Sequence, residues 1–165
     1  MTPMIRLLTG AHADAVKASE HLGAPTLFLM RLWVAIAFWH AGVVKHDDPA
    51  GTLSLFTNEY HVPILSANVA AFLGTWTELI VPWLLGLGVA TRPVAVILFV
   101  YNLVAVISYP DLWPNGFWAG LVNTDDFADH KIWAMMLLAV IAWGPGKLSI
   151  DALLSRFLPR QSRMN

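Results

Sequence analysis

The 165-residue chain contains no cysteine. Thiolate nucleophiles, disulfide exchange and cysteine-ligated iron–sulfur clusters are therefore excluded. Charge is also scarce. Asp, Glu, Lys and Arg make up 13% of the residues, against about 25% in soluble domains. Net charge is −1, and no basic stripe alternates with aromatics, so nucleic acid is not an expected partner. Residues 1–25 lack the long apolar core of a cleavable leader. What the chain has instead is apolar length. Hydrophobic residues reach 57%, and eight tryptophans suit the aromatic belts of a membrane interface. An integral membrane protein is the class that fits.

Four apolar stretches read as helices. They run over about 26–44, 69–90 and 93–109, with a shorter one from Ile132 to Trp143. The first is long enough to act as a signal anchor. Pro93 suits the first turn of the third. The fourth falls short of a ~30 Å core and is expected to extend back through His130 toward Phe127. Gly144-Pro-Gly ends it.

The basic residues Arg6, Lys17, Arg92, Lys147, Arg156, Arg160 and Arg163 fall on one side of this pattern, and Lys45 and Lys131 on the other. The positive-inside rule then places both termini in the cytoplasm and the loops 45–68 and 110–130 outside. The expectation is an all-α, four-helix transmembrane bundle with two structured outer loops. It divides into an amphipathic cytoplasmic segment at 1–25, the helical domain at 26–145 and a cytoplasmic tail at 146–165. Short surface helices are expected near 12–22 and 148–158.

Within this bundle Glu78 is out of place. Val69-Ala-Ala-Phe-Leu-Gly-Thr-Trp-Thr precedes it, and Leu79 to Ala90, again without a charge, follows. An acidic side chain at the bilayer centre costs about 2.5–3.5 kcal/mol on insertion scales, so it must face a partner or a wet cavity. Counting ~1.5 Å per residue from the cytoplasmic ends puts Glu78 at about 18 Å, Asn102 at about 14 Å and His130 at about 21 Å. The three share a layer. Pro82 cannot donate to the carbonyl of Glu78, which is left free.

Helix one offers cations. Arg31, Ala35, Phe38, Gly42 and Lys45 form one stripe. Arg31 is the expected partner of Glu78, and Lys45 is expected to meet Asp129 or the outer-loop acids. A purely structural ion pair is the competing reading. His40 lies near the height of His130 but about half a turn out of phase with Arg31, which places it on a helix flank or a subunit interface. That phase also disfavours a bis-His haem. The six histidines, at 12, 21, 40, 46, 61 and 130, show no tight ligand spacing, so no metal site is expected. His46-Asp47-Asp48 with His61 reads as solvated loop.

Taken in order, several motifs resemble the DoxX family. They are Arg31-Leu32, Phe38-Trp-His-Ala-Gly-Val-Val-Lys45, Glu78 followed by Leu-Gly-Leu-Gly and Thr91-Arg92, and Gly144-Pro-Gly-Lys-Leu-Ser-Ile-Asp151. The resemblance covers about residues 26–153. It implies a small four-helix, multi-pass protein of the bacterial inner membrane. Some members are implied to be quinone-linked redox subunits. Asn58-Glu-Tyr-His-Val-Pro63 and Val106-Ile-Ser-Tyr-Pro110 are similar to members found with small copper-binding peptides. Many relatives carry a Glu in helix four, where this chain has Asp129-His130-Lys131.

Two functions follow as expectations. One is a membrane redox subunit binding a quinone headgroup. Glu78 and His130 would exchange protons, Arg31, Asn102, His40, Lys45 and Trp76 would bind the cofactor, and Trp39, Trp76 and Trp133 would form the apolar walls. Because the chain has no redox centre of its own, such a subunit needs a soluble or membrane-bound redox partner protein. The other is a non-enzymatic scaffold or maturation factor that docks a periplasmic or metal-handling partner on the outer loops. A homodimer is compatible with either. A small transporter fits less well, since no pair of broken helices is visible.

Overall fold

The computed structural model describes residue 12 and residues 14–157. Within them the chain is helical and contains no strand. Arg6, Arg160 and Arg163, and with them the ends of the 1–25 and 146–165 segments, lie outside the described residues. Residues 14–20 are helical and lead through a turn into α1, Gly23–Asp47. There follow α2 (Pro49–Asn58), α3 (Ala67–Leu87), α4 (Thr91–Ser108), a 3-10 turn at Pro110–Leu112, α5 (Phe117–Val122), α6 (Ala128–Trp143) and α7 (Ile150–Leu154).

Three of these stretches are long and apolar enough to cross a membrane: α1 with the helical segment before it, α3 and α4. The 16 residues of α6 reach back to Ala128, as its length demanded, yet span only ~24 Å. The short helices expected at both ends of the chain are present at 14–20 and 150–154.

Local chemistry sets the boundaries. Asp48 accepts a hydrogen bond from the Gly51 amide at 2.9 Å, and Pro49 opens α2, the usual start of a helix. Gly88, at φ +75°, ends α3; a Cβ there would also meet Arg31. The α3–α4 turn puts Ala90 at φ +43°, and Asp151 holds it there by accepting from the amides of Ala90 and Thr91, each at 2.8 Å. The Thr91 hydroxyl adds a third bond at 2.7 Å. Burial pushes the Asp151 carboxyl up. Those bonds and the nearby Arg31 outweigh it and hold the group below the usual carboxylate range.

Helices α1, α3, α4 and α6 pack in a ring, most extensively α1 on α3 and α4 on α6. Contacts of α1 with α6 and of α3 with α4 close it, and α2 lies across the outer part of α3. The core contains Val34, Phe38, Leu85, Leu98, Leu137 and Val140. The outward surface is also apolar, with Leu29, Trp33, Phe72, Ile80 and Ile97 exposed. A bundle apolar on both faces matches a lipid surround. One end gathers the start of α1, the α3–α4 turn and residues 144–151. The opposite end carries α2, the 3-10 turn and α5, so both long loops are structured as expected.

Candidate functional site

Glu78 faces inward from α3 and is 6% exposed. Its carboxylate meets Lys45. The ammonium lies 2.7 Å from Oε2 and 2.9 Å from Oε1. The Tyr101 hydroxyl donates to Oε1 at 2.9 Å. Gly42 makes the approach possible, because a Cβ there would stand 2.9 Å from the carbonyl carbon and Cβ of Glu78. Lys45 follows three residues later on the same stripe, and helical side chains lean toward the helix N-terminus, so its ammonium comes down onto the carboxylate.

The expected pairing of Arg31 with Glu78 is therefore corrected, as is that of Lys45 with Asp129 or the loop acids. Gly42 is level with Glu78, and Arg31 lies eleven residues earlier, about 16 Å along the axis. The Arg31 side chain leans further away, toward the other end of the bundle. There its guanidinium donates to the carbonyls of Leu85, at 3.3 Å, and of Leu148. The partial negative charge at the C-terminus of α3 suits it.

The other two members of the expected layer bind each other. Asn102 is 1% exposed. Its amide nitrogen donates to the His130 carbonyl at 3.0 Å, and its Oδ1 lies 2.8 Å from His130 Nδ1. The first bond orients the amide, so Oδ1 must accept and Nδ1 must carry the proton. In a neutral ring the lone pair is then on Nε2. The imidazole also stands edge-on to Trp133, at 4.8 Å between centroids. Asn102 is thus a bracket that sets the tautomer of His130.

Two hollows meet at the ion pair. One, of about 220 Å³, lies among α1, α4 and α6 and is bordered by Phe38, Lys45, Glu78, Tyr101, His130 and Trp133. The second, of about 170 Å³, lies among α2, α3 and α4 and is bordered by Phe56, Leu73, Val104 and Ser108 beside the same Lys45, Glu78 and Tyr101. Leu73 and Val104 are exposed, at 47% and 38%, so this second hollow reaches the apolar outer surface along the α3–α4 seam. Tyr60 borders both hollows. It stacks between Phe56 and Tyr109, each at 4.8 Å. Burial, and after it the charge of Glu78, pushes its hydroxyl up to about 12, so it stays protonated.

The structure thus brings Glu78, Lys45 and His130 to one chamber, with Asn102 behind His130. Arg31, His40 and Trp76 are elsewhere. His40 is exposed on the outside of α1. It precedes Gly42 by two residues, about 200° around the helix. Trp76 precedes Glu78 by the same step and packs instead on His46 and Phe72. Trp39 pairs with Trp83 on the outer surface, so Trp133 alone of the three expected wall residues borders the chamber. His46 and His61 border separate hollows. Among the described residues no three His, Asp or Glu gather as a metal-ligand set.

Tyr101 and Tyr60 were not singled out from the sequence. Their signal was scarcity, since the chain has only three tyrosines and all three border this chamber.

The DoxX family model matches residues 26–110, a stretch that includes Arg31, Lys45, Glu78 and Asn102 and stops short of His130. An uncharacterized protein of Haemophilus influenzae is 27% identical over 139 residues, covering 83% of this chain and 88% of its own length. No solved structure matches.

Proposed function

The chain belongs to the DoxX family of membrane proteins, and on that premise we propose that it is a quinone-linked membrane subunit whose headgroup site is the Lys45–Glu78–Tyr101–His130 chamber. The observation that carries this reading is the access route. A hydrogen-bonded ion pair, its carboxylate buried and its ammonium half-buried, lies at the inner end of an apolar hollow that opens sideways between α3 and α4. A ligand dissolved in the bilayer would enter there without crossing water.

The donor set fits a quinone. Two of the three N–H groups of Lys45 are used by Glu78, which leaves one for a ring oxygen. His130 Nε2 accepts or returns a proton, and Asn102 holds the ring in the tautomer that allows it. Phe38 and Trp133 supply flat apolar wall. A bound quinone supplies the two-electron chemistry that no side chain of this cysteine-free chain provides. Electrons would come from or go to a soluble or membrane-bound partner protein.

In this reading α6 is the fourth span, despite its ~24 Å. Both termini are cytoplasmic, and the α2 and α5 ends face outward from a bacterial inner membrane. A homodimer is compatible with the exposed apolar faces of α1 and α3.

The test is the quinone content of protein purified in lipid, for wild type and for Glu78→Gln and His130→Ala. Loss in both variants is expected. Wild-type content retained in both would sink the site assignment. A second reading has one observation in its favour. Trp118 and Val122 of α5 are 79% and 86% exposed at the outer end, where a scaffold would dock a partner. A colourless, quinone-free protein that co-purifies with a periplasmic or metal-handling partner would select it.

A further inference from the structure

All three tyrosines of the chain border the chamber, and they differ in where their protons go. Tyr101 donates to Glu78 at 2.9 Å. Tyr109 donates to Glu59 at the outer rim, at 3.1 Å. Tyr60 is half-buried, and among the described residues its hydroxyl has no hydrogen-bond partner. Nor is that oxygen sealed inside protein, as the Ser108 hydroxyl is. A phenol in this position has an unspent donor and room beside it.

The ring is held so that the donor faces open space. Tyr60 stacks between Phe56 and Tyr109, with both centroid distances at 4.8 Å and interplanar angles of 20° and 28°. With both faces covered, only the ring edge is left to border a cavity, and the hydroxyl lies on that edge. The backbone is tied on either side. The Tyr60 amide donates to the Leu55 carbonyl at 3.1 Å, and the His61 amide to the Ser108 carbonyl at 2.7 Å. The donor is fixed before a ligand arrives, so little freedom is lost on binding. Tyr60 also borders a hollow at the outer surface, beside Thr57 and His61. Its electrostatics favour the inward direction. After burial, the charge that raises its hydroxyl most is that of Glu78, ahead of Glu59 next to it in the chain.

We propose that Tyr60 is a ligand-binding residue of the chamber, and that its hydroxyl donates a hydrogen bond to a carbonyl oxygen of the bound ring. The inference rests on the quinone reading and adds to it a donor from outside the bundle helices. Tyr60 borders the same hollow as Phe38, Lys45, His130 and Trp133, so the bond is made within the headgroup site. The segment between α2 and α3 therefore takes part in the site instead of only covering it.

The experiment follows an alkyl-1,4-benzoquinone with isotope-labelled carbonyls binding to the protein in lipid nanodiscs, by affinity and by infrared difference spectroscopy. Tyr60→Phe keeps the ring and both stacking partners and removes only the hydroxyl. It is expected to weaken the quinone about fivefold, the size of one hydrogen bond, and to move a carbonyl stretch of the bound quinone to higher wavenumber. Tyr109→Phe is the control. It removes a hydroxyl from the same stack, one already given to Glu59, and should stay within about twofold of wild type with no shift of the carbonyl. Unchanged affinity in Tyr60→Phe, an unshifted carbonyl, or equal losses in the two variants would each overturn the Tyr60 donor while leaving the quinone reading in place. A wild-type protein that binds no quinone would overturn the quinone reading and the Tyr60 donor together.

Discussion

Two cations sit on the same stripe of α1, Arg31 buried and Lys45 half-buried, and they differ in what surrounds them. Arg31, at the end of the bundle that holds the α3–α4 turn, is 0% exposed and spends its guanidinium on the carbonyls of Leu85 and Leu148. Gly88 packs beside it, and a Cβ there would meet both the guanidinium and Ser149. Lys45, near the other end, holds a single carboxylate between two hollows. The first cation closes a joint between the bundle and the segment after α6. The second guards space. A charge on this stripe does not by itself separate structure from function, and the sequence put both residues on it. What separates them is whether the partner is backbone or side chain, and whether room is left beside it.

The contrast would break first under charge deletion, where the largest effects are expected. Arg31→Ala strands the Leu85 and Leu148 carbonyls and should cost about 3 kcal/mol, read as thermal unfolding in detergent. Lys45→Ala should cost about as much, because Glu78 is left charged and unpaired. The two differ in rescue. Lys45→Met with Glu78→Leu should recover more than half of the lost stability, since both charges leave together, while abolishing quinone binding. No single second substitution should rescue Arg31→Ala, whose partners are main chain. If the Lys45–Glu78 double variant proves additive, or keeps its quinone, the two cations are not distinct in kind.

Gly42→Ala comes next. Its Cβ would meet the Glu78 backbone at 2.9 Å, so α1 and α3 must separate by a fraction of an ångström. Overpacking of this sort costs about 1–3 kcal/mol. It should also lengthen the Lys45–Glu78 contact and lower quinone affinity. Gly86→Ala at the Arg31 end is the control. Its Cβ would lie at an ordinary 3.4 Å from Ala35, so little change is expected. Equal effects of the two would show that Gly42 has no special relation to the ion pair.

These glycines also mark how far the sequence could be read. The positions of α1, α3 and α4, the backward extension of α6 and the layer of Glu78, Asn102 and His130 all follow from hydrophobic length and helical rise, which are local quantities. The pairing of Lys45 with Glu78 does not. It depends on the axial offset of α1 against α3, which Gly42 sets by contact, and counting from span ends misplaced that offset by several residues. Helical phase did exclude His40 correctly from the face of Gly42, and the same step of two residues, if applied on α3, would have excluded Trp76. Tyr60 was out of reach for another reason. It follows α2, and no periodicity relates that outer segment to the bundle interior.

The smallest expected effect sharpens the structural side of the comparison. Asp151 caps α4 from a distant part of the chain, accepting from Ala90 and Thr91 beneath Arg31. Asparagine keeps one acceptor oxygen in place of two, so Asp151→Asn should cost about 1 kcal/mol at pH 7, as lost helix caps do. The cost should depend on pH in a fixed direction. The carboxyl is held below its ordinary value of 3.8 in the folded protein, so the folded state favours the ionised form. Its stabilisation is complete above the unfolded value and is lost as pH falls through the folded one. Unfolding measured in detergent from pH 7 down to pH 3 should therefore show wild type and Asp151→Asn converging only below about pH 4, where the unfolded carboxyl begins to take up its proton. Quinone affinity, read at the far end of the bundle, should not change in this variant. A loss of affinity would mean that the joint at Arg31 and the chamber at Lys45 are coupled, and the division between them would have to be given up.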